Sequence, residues 1–431
     1  MSLAETHDDD NYQAVKSEDK MDSAQVKKLV KENLYSGITV ALVSTPLSTA
    51  LAMAQGATAM MGLSTAIYGP GIQGVIGGSH YNILGPAGAL VNIVNNIKET
   101  LGVAAIPWSA FVAGVMSFLV YLVKFEHFCT MLPTSVLEGF SLGVATTIGL
   151  GQVGFALGLP PPQGKEFYEK VYSNFSNVGE TQWKEFFCFL PFYVSLMFLL
   201  KYKPQIPWII VIAILGVIYG AIMKEGVNDP KMTPVLLRDI YPQLTNSVQL
   251  ADFSYWSPAK AIPFVDLLIG AFKVAFVAVL ETLISARIAD NKTNTRFDSP
   301  KEIRGMAIAN MVCGLMGGTP CTGVLIRTNV NIQTHATHKM SQFINAVVVF
   351  FIVCFGMGVF SYIPMAVIAA ILITSACRLV PKTIMRQLWN VDMFEFNILI
   401  ITWLICVFKD GAVGLMIGAF LSFLKQSEKQ S

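Results

Sequence analysis

Apolar runs recur from about residue 37 to residue 425, broken by short polar stretches. Their lengths approach what a helix needs to cross a bilayer, about 20 apolar residues. Read for helical periodicity and breaker residues, they predict fourteen elements, at about 37–55, 57–77, 85–97, 106–124, 136–157, 185–201, 205–223, 262–286, 303–316, 322–333, 342–357, 362–378, 393–408 and 410–425. A further short helix fits 126–134. The third and tenth elements are too short to span and are expected to be half-helices that end inside the protein. Backbone left open at that depth is tolerated only where it lines a cavity or is covered by protein. Two long polar connections, about 158–184 and 224–261, interrupt the pattern.

Both half-helices are preceded by a similar break. Ile83-Leu84-Gly85-Pro86-Ala87-Gly88-Ala89 matches Gly317-Gly318-Thr319-Pro320-Cys321-Thr322-Gly323, with the prolines 234 positions apart. At the same offset Val40-Ala41-Leu42-Val43 meets Val274-Ala275-Phe276-Val277, and Ser48 meets Thr282. Broken apolar segments at matching places in two halves suggest an inverted-repeat transporter with its site where the broken helices face each other. Pro86 and Pro320 are each expected in the first turn of a half-helix, where proline is tolerated.

Composition sharpens this picture. Of 431 residues 53% are hydrophobic and only 13% charged, with a mean hydropathy of +0.55. The chain therefore reads as an all-α polytopic membrane protein. A net charge of +2 argues neither for nor against nucleic acid. The seven cysteines and five histidines lack ligand spacing, so no metal or other cofactor is expected. No nucleophile–base pair or phosphate loop is visible, which argues against an enzyme. No cleavable signal peptide is read, and the polar first 35 residues read as a cytoplasmic tail. Lys and Arg concentrate in alternate connections, which places the N-terminus in the cytoplasm; the plasma membrane is the expected location. Both long connections then lie outside, where the sequon at Asn174 is open to glycosylation.

A half-helix that begins at mid-membrane points free amides and a dipole end of roughly +0.5 charge into the protein. Two such ends facing each other make an anion site. The amides near Gly88, Ala89, Thr322 and Gly323, with the Thr322 hydroxyl, are the candidates. Arg327 lies about five residues into the second half-helix. An arginine near the bilayer centre costs about 2.5–3.5 kcal/mol on insertion scales, so it has a task or a partner. It is read as the fixed charge that completes the site, against a carboxylate-paired or snorkelling arginine. Glu281, beside Thr282 and Ser285, is the clearest acid inside an apolar run; it is read as binding a coupling cation, accepting a proton, or pairing with Arg327. In the other repeat Leu47 stands opposite Glu281 and Ser48 opposite Thr282. Hydroxyls at Thr45, Ser48 and Thr49 either line the cavity or bond the carbonyls freed by Pro46.

These residues resemble the SulP family of anion transporters over nearly all of 36–425. Four segments carry the resemblance: Gly37-Ile38-Thr39-Val40-Ala41-Leu42-Val43 with Pro46; Gly77-Gly78-Ser79 followed by Gly85-Pro86-Ala87-Gly88-Ala89; Glu281 through Asp290; and Thr319-Pro320-Cys321-Thr322-Gly323 through Arg327-Thr328-Asn329-Val330-Asn331-Ile332. The last two are similar to the family's bacterial-type branch. The resemblance implies two inverted repeats of seven helices in a uracil-permease-like fold, an anion held between the third and tenth helices, and a homodimer. It divides the chain into a tail at 1–35, a core domain at 36–125 and 262–357, a gate domain at 126–225 and 358–425, an extracellular loop at 226–261 and a tail at 426–431. In sodium-coupled members the acid of the eighth helix helps bind the cation, a role that falls on Glu281 with Thr282.

Three departures from the family pattern stand out. Leu47 replaces a glutamine that contacts the anion, and His80 replaces an arginine. The sequence stops a few residues after the last span, at Lys425-Gln426-Ser427, so the family's usual C-terminal STAS domain is either lacking or lies beyond it. The expected function is secondary active transport of a small oxyanion, sulfate or bicarbonate, by alternating access with sodium or proton coupling through Glu281. The anion site then comprises Gly88, Ala89, Thr322, Gly323, Arg327 and Ser48. A passive anion channel and a dicarboxylate carrier on the same fold are the alternatives.

Overall fold

A computed structural model describes residues 13–14, 23–124, 133–164, 167–203, 206, 208–227, 229–240, 250–256, 262–409 and 411–430. The chain is built almost wholly of helices. The first, α1, runs Ser23–Ala54. At 1.5 Å per residue its 32 residues reach about 48 Å, beyond the roughly 30 Å hydrocarbon layer. The stretch 23–35 therefore belongs to this helix and not to a tail. Pro46 removes one amide from the ladder. Thr45 and Thr49 turn their hydroxyls back onto Ala41 O and Thr45 O, 2.9 Å each. Neither acceptor is Leu42 O, the carbonyl that Pro46 leaves without its amide, so these two threonines back-bond within α1 without filling the gap that the proline makes.

After α1 come α2 (Ala59–Ile76), the strand β1 (Leu84–Gly85), a single 3-10 turn at Gly88–Leu90, α3 (Val91–Leu101) and α4 (Ala105–Leu122). The next section holds α5 (Thr134–Gly151), the short α6 (Val153–Leu157), α7 (Phe167–Ser176), α8 (Trp183–Tyr202), α9 (Trp208–Ala221) and α10 (Leu237–Ile240). The second half has α11 (Phe264–Thr293), α12 (Ser299–Leu315), β2 (Thr322–Gly323), α13 (Leu325–Gln333) and α14 (Met340–Phe351). It closes with α15 (Met357–Phe360), α16 (Met365–Leu379), α17 (Lys382–Val391), α18 (Met393–Phe408) and α19 (Gly411–Gln430). Among the described residues, eight helical segments are long and apolar enough to cross a membrane.

Packing sorts these helices. α1, α2, α3 and α4 pack with α11, α12, α13 and α14; α5, α6, α8 and α9 pack with α16, α18 and α19. The tightest pair is α4 with α12. Gly114 lies on the backbone at Ala307 and Met311, and Gly314 on the backbone at Pro107 and Phe111, so small residues let the two axes close. Between the two groups run the contacts of α1 with α16, α11 with α19, and α5 with the turn at Gly88–Leu90.

Several expectations need correction. Helix α19 continues through Gln430, so 426–430 is helical rather than a tail. Within 226–261, α10 is anchored, because Leu236 bridges to Pro364. The side chain of Asn174 is buried, with its Oδ1 3.3 Å from where a Cβ on Gly154 would sit, and the folded chain leaves no room for a glycan there. The short helix expected at 126–134 falls mainly outside the described residues; α5 begins at Thr134.

Candidate anion site

Both breaks sit at the centre of the first helix group, and neither is open chain. β1 and β2 pair antiparallel, Leu84 opposite Gly323 and Gly85 opposite Thr322. A sheet this short leaves most backbone groups to side chains, and buried backbone must be bonded. Gln55 at the end of α1 donates to Ala87 O (3.0 Å) and accepts from Thr319 Oγ1 (2.5 Å), so one amide ties both breaks. Asn310 of α12 pairs with both backbone groups of Cys321, 2.9 Å each. Thr65 of α2 receives the Thr319 amide and donates to its carbonyl, 2.8 Å each.

Arg327 is the third residue of α13, not the fifth, and is completely buried. Its guanidinium reaches across to the other half. Nη2 donates to Ser48 Oγ (2.9 Å) and Pro86 O (3.4 Å), and Nη1 to Leu84 O (3.3 Å). It thus bonds the carbonyl of Leu84 in β1 and that of Pro86 just after the strand. Nε is buried without a hydrogen-bond partner among the described residues. Gly85 makes this possible: a Cβ there would run into Nη1 and lie 2.6 Å from Cζ.

Glu281 does not pair with Arg327. Its Oε2 accepts from Thr322 Oγ1 at 2.6 Å. Thr282 Oγ1 accepts from the Gly323 amide at 2.9 Å. These bonds correct two expectations. The Thr322 hydroxyl and the Gly323 amide are engaged by α11 and are not offered to an anion. Nor does Pro320 stand in the first turn of a helix, since α13 starts only at Leu325. The Val324 amide is engaged too, donating to Ile83 O at 2.9 Å, so the open end of α13 begins one residue later.

The two helix ends face one cleft, lined among others by Gly88, Leu47, Glu281, Leu325 and Ile326. Neither the turn at Gly88–Leu90 nor α13 has a side-chain cap at its N-terminus. Ala89 follows Gly88 in that turn and is buried. Leu47 offers the cleft an apolar surface where the opposite repeat has Glu281. Ser48 and Arg327 lie just behind the lining, bonded to each other.

A second buried carboxylate escaped notice in the sequence. Glu302, in the first turn of α12, accepts from the amides of Gly78 (2.9 Å) and Ser79 (2.8 Å) and from Asn82 Nδ2 (2.7 Å). Asn82 in turn donates to Thr282 O (3.3 Å) and accepts from Thr328 Oγ1 (3.2 Å). Thr328 Oγ1 also receives the Ile83 amide at 3.1 Å. The approach to the first break is thereby fastened to α11, α12 and α13. The available signal was Asp298-Ser299-Pro300, a helix start with proline at its first turn, which places Glu302 at the helix N-terminus.

Comparison with known proteins gives the family and the fold. The sulfate permease family matches residues 30–402. The chain belongs to that family. YvdB of Bacillus subtilis is 30% identical over 401 residues, covering 91% of this chain and 73% of that protein. The chloroplastic sulfate transporter 4.1 of Arabidopsis thaliana is 25% identical, and the chain spans 57% of its length. The bicarbonate transporter BicA of Picosynechococcus sp. is 23% identical over 93% of this chain and 72% of its own. Among solved structures, the transmembrane domain of a cyanobacterial BicA superposes with a TM-score of 0.73 at 22% identity, covering 91% of this chain and 97% of that one. The structure of SLC26A9 gives 0.79 at 16% identity, covering 93% and 65%. The chain is thus the membrane-embedded part of an anion transporter, and its family is one of transporters, not enzymes.

Proposed function

We propose that the protein moves a small oxyanion, sulfate or bicarbonate, across the membrane by alternating access. The observation that carries this is the pair of uncapped helix N-termini at Gly88 and Leu325 facing one cleft, with the Arg327 guanidinium buried behind them. Each end contributes about half a positive charge, and the guanidinium adds a full one that water does not screen. The names of the relatives, sulfate and bicarbonate transporters, are consistent with the anion class.

In this reading the group α1–α4 with α11–α14 is a core that carries the anion, and α5–α9 with α16–α19 is a gate against which it moves. The fourteen elements form two inverted repeats, with the N-terminus in the cytoplasm and a homodimer as the working unit. The anion rests on the amides at Gly88, Ala89, Leu325 and Ile326, and Arg327 with Ser48 sets the potential from behind. Glu281, lining the cleft and held by Thr322, takes the coupling sodium or proton, and Thr282 keeps its helix registered on β2. Uptake of labelled sulfate into membrane vesicles, with bicarbonate and dicarboxylates as competitors, tests the reading. Saturable uptake that bicarbonate inhibits is expected; no uptake of either anion overturns it.

Coupling has its own test. Glu281→Gln keeps the bond from Thr322 and removes the charge. Uptake by the variant is expected to lose its dependence on sodium or on pH. A dependence identical to that of the unaltered protein removes Glu281 from coupling.

A further inference from the structure

Three helices carry the lining of the cleft toward one end. On α11 the lining residues Glu281 and Ile284 are continued on the same face by Ile288 and Lys292, and Lys292 stands about 17 Å beyond Glu281 along the axis. On α16 the lining runs through Ser375 to Leu379, the last residue of the helix, with Arg378 beside it. On α13 the lining residue Ile326 is followed nearly one turn later by Asn329. Lys292 Nζ donates to Asn329 Oδ1 at 2.6 Å, so this lysine turns toward α13. A lysine at the end of a membrane helix ordinarily turns out to the lipid headgroups.

Lys292 and Arg378 come from different helix groups, and each lies within the other's field. Both are exposed, and neither makes an ion pair among the described residues. The acids at hand do not neutralise them. Asp290, two residues before Lys292 and so on the opposite side of α11, accepts from Thr295 Oγ1 (2.8 Å) and from the Phe297 amide (2.7 Å). Glu138 of α5 flanks the lining residue Ser141 and pairs with neither cation. Two cations facing each other without an acid repel, and an anion between them relieves that repulsion.

We propose that Lys292 and Arg378 form an outer anion-collecting site at the mouth of the cleft, which gathers small oxyanions ahead of the inner helix ends and favours divalent over monovalent ones. Its part in transport rests on the reading that the cleft is the anion's route; its field does not. Charges in a cleft with low-dielectric walls raise the local concentration of an oppositely charged solute, and salt weakens the effect. A divalent anion gains about twice the attraction of a monovalent one at the same place. Sulfate therefore depends on the pair more than bicarbonate does.

The field is tested with a thiol placed beside Arg378 by Leu379→Cys. The purified protein is treated with an anionic and a cationic thiosulfonate, and labelling at position 379 is followed by mass spectrometry. Each rate is divided by that of the same reagent with a small thiol in solution. At low salt the anionic reagent is expected to be favoured by about tenfold, the lower end for a charged cleft. High salt, and the added changes Lys292→Gln/Arg378→Gln, should each remove the preference. No preference in the Leu379→Cys protein, or an equal one with both cations removed, overturns the proposal. In vesicles, Lys292→Gln/Arg378→Gln is expected to raise KM for sulfate more than KM for bicarbonate and to keep the maximal rate, and Lys292→Arg/Arg378→Lys to restore both KM values. Unaltered KM values contradict the site. If the unaltered protein carries neither anion while the reagent preference still depends on the pair, the transport reading fails and the collecting site stands.

Discussion

Arg327 serves two purposes at once. Its guanidinium bonds the carbonyls of Leu84 in β1 and of Pro86 just after it, and it places a charge behind the helix ends that face the cleft. Lysine would keep the charge but not the planar fork that reaches Ser48, Leu84 and Pro86 together. The dependence runs both ways, since the guanidinium occupies the space a side chain at position 85 would need. Gly85→Ala is therefore expected to destabilise the fold by about 1–3 kcal/mol, the usual range for an overpacked core. The check is the thermal midpoint in detergent, and a midpoint equal to that of the unaltered protein removes this close approach from the account. Residues of this kind were only half legible. Arg327 stood out because a charge in an apolar run is rare, and Ser48 because it matches Thr282 at the repeat offset, whereas the bond between them was not legible across 279 positions of sequence.

At the scale of elements, the broken helices were readable from Pro86 and Pro320, and the strand pair between them was not. Two residues per strand carry no periodicity, and their pairing joins distant halves of the chain. The same gap hid the side chains that replace a backbone ladder: Gln55, Thr65 and Asn310 fall within expected helices and Asn82 in the connection before β1, and nothing in their spacing marks them. Glu302 is the clearest case. It clamps the 78–82 segment to α12 through three donors, and the segment leads directly into β1. Glu302→Gln puts an amide group among those donors, so at least one of them loses its acceptor. A buried group left unbonded costs about 1–3 kcal/mol, and more where the lost partner is charged. A fall in thermal midpoint of that order is expected, together with faster proteolysis in the loop at 77–82. An unchanged midpoint contradicts the clamp.

At the scale of the whole molecule, two helix groups meet along few contacts, and the candidate site lies on the seam between them. The lengths of the apolar runs and the charge bias were enough to predict a polytopic bundle and most helix positions to within a few residues. They were not enough to locate the helix ends beyond the apolar runs, where α1 begins thirteen residues before the expected tail boundary and α19 runs on to Gln430. A polar extension carries no apolar signature, so hydropathy does not see it. The seam also explains why the site is lopsided. Glu281, Thr322 and Arg327 come from the second half, while the first contributes backbone at Gly88, the Ser48 hydroxyl and the apolar Leu47. Two helix ends select negative charge more than identity, so sulfate and bicarbonate are expected to compete for one place.

The most direct measurement is a sulfate and bicarbonate binding titration on purified protein, read as the anion-dependent rise in thermal midpoint. The unaltered protein should show a saturable rise with both anions. Arg327→Lys should show a weaker rise, and a monodisperse Arg327→Ala should show none. An Arg327→Ala protein that binds either anion as well as the unaltered one contradicts the site.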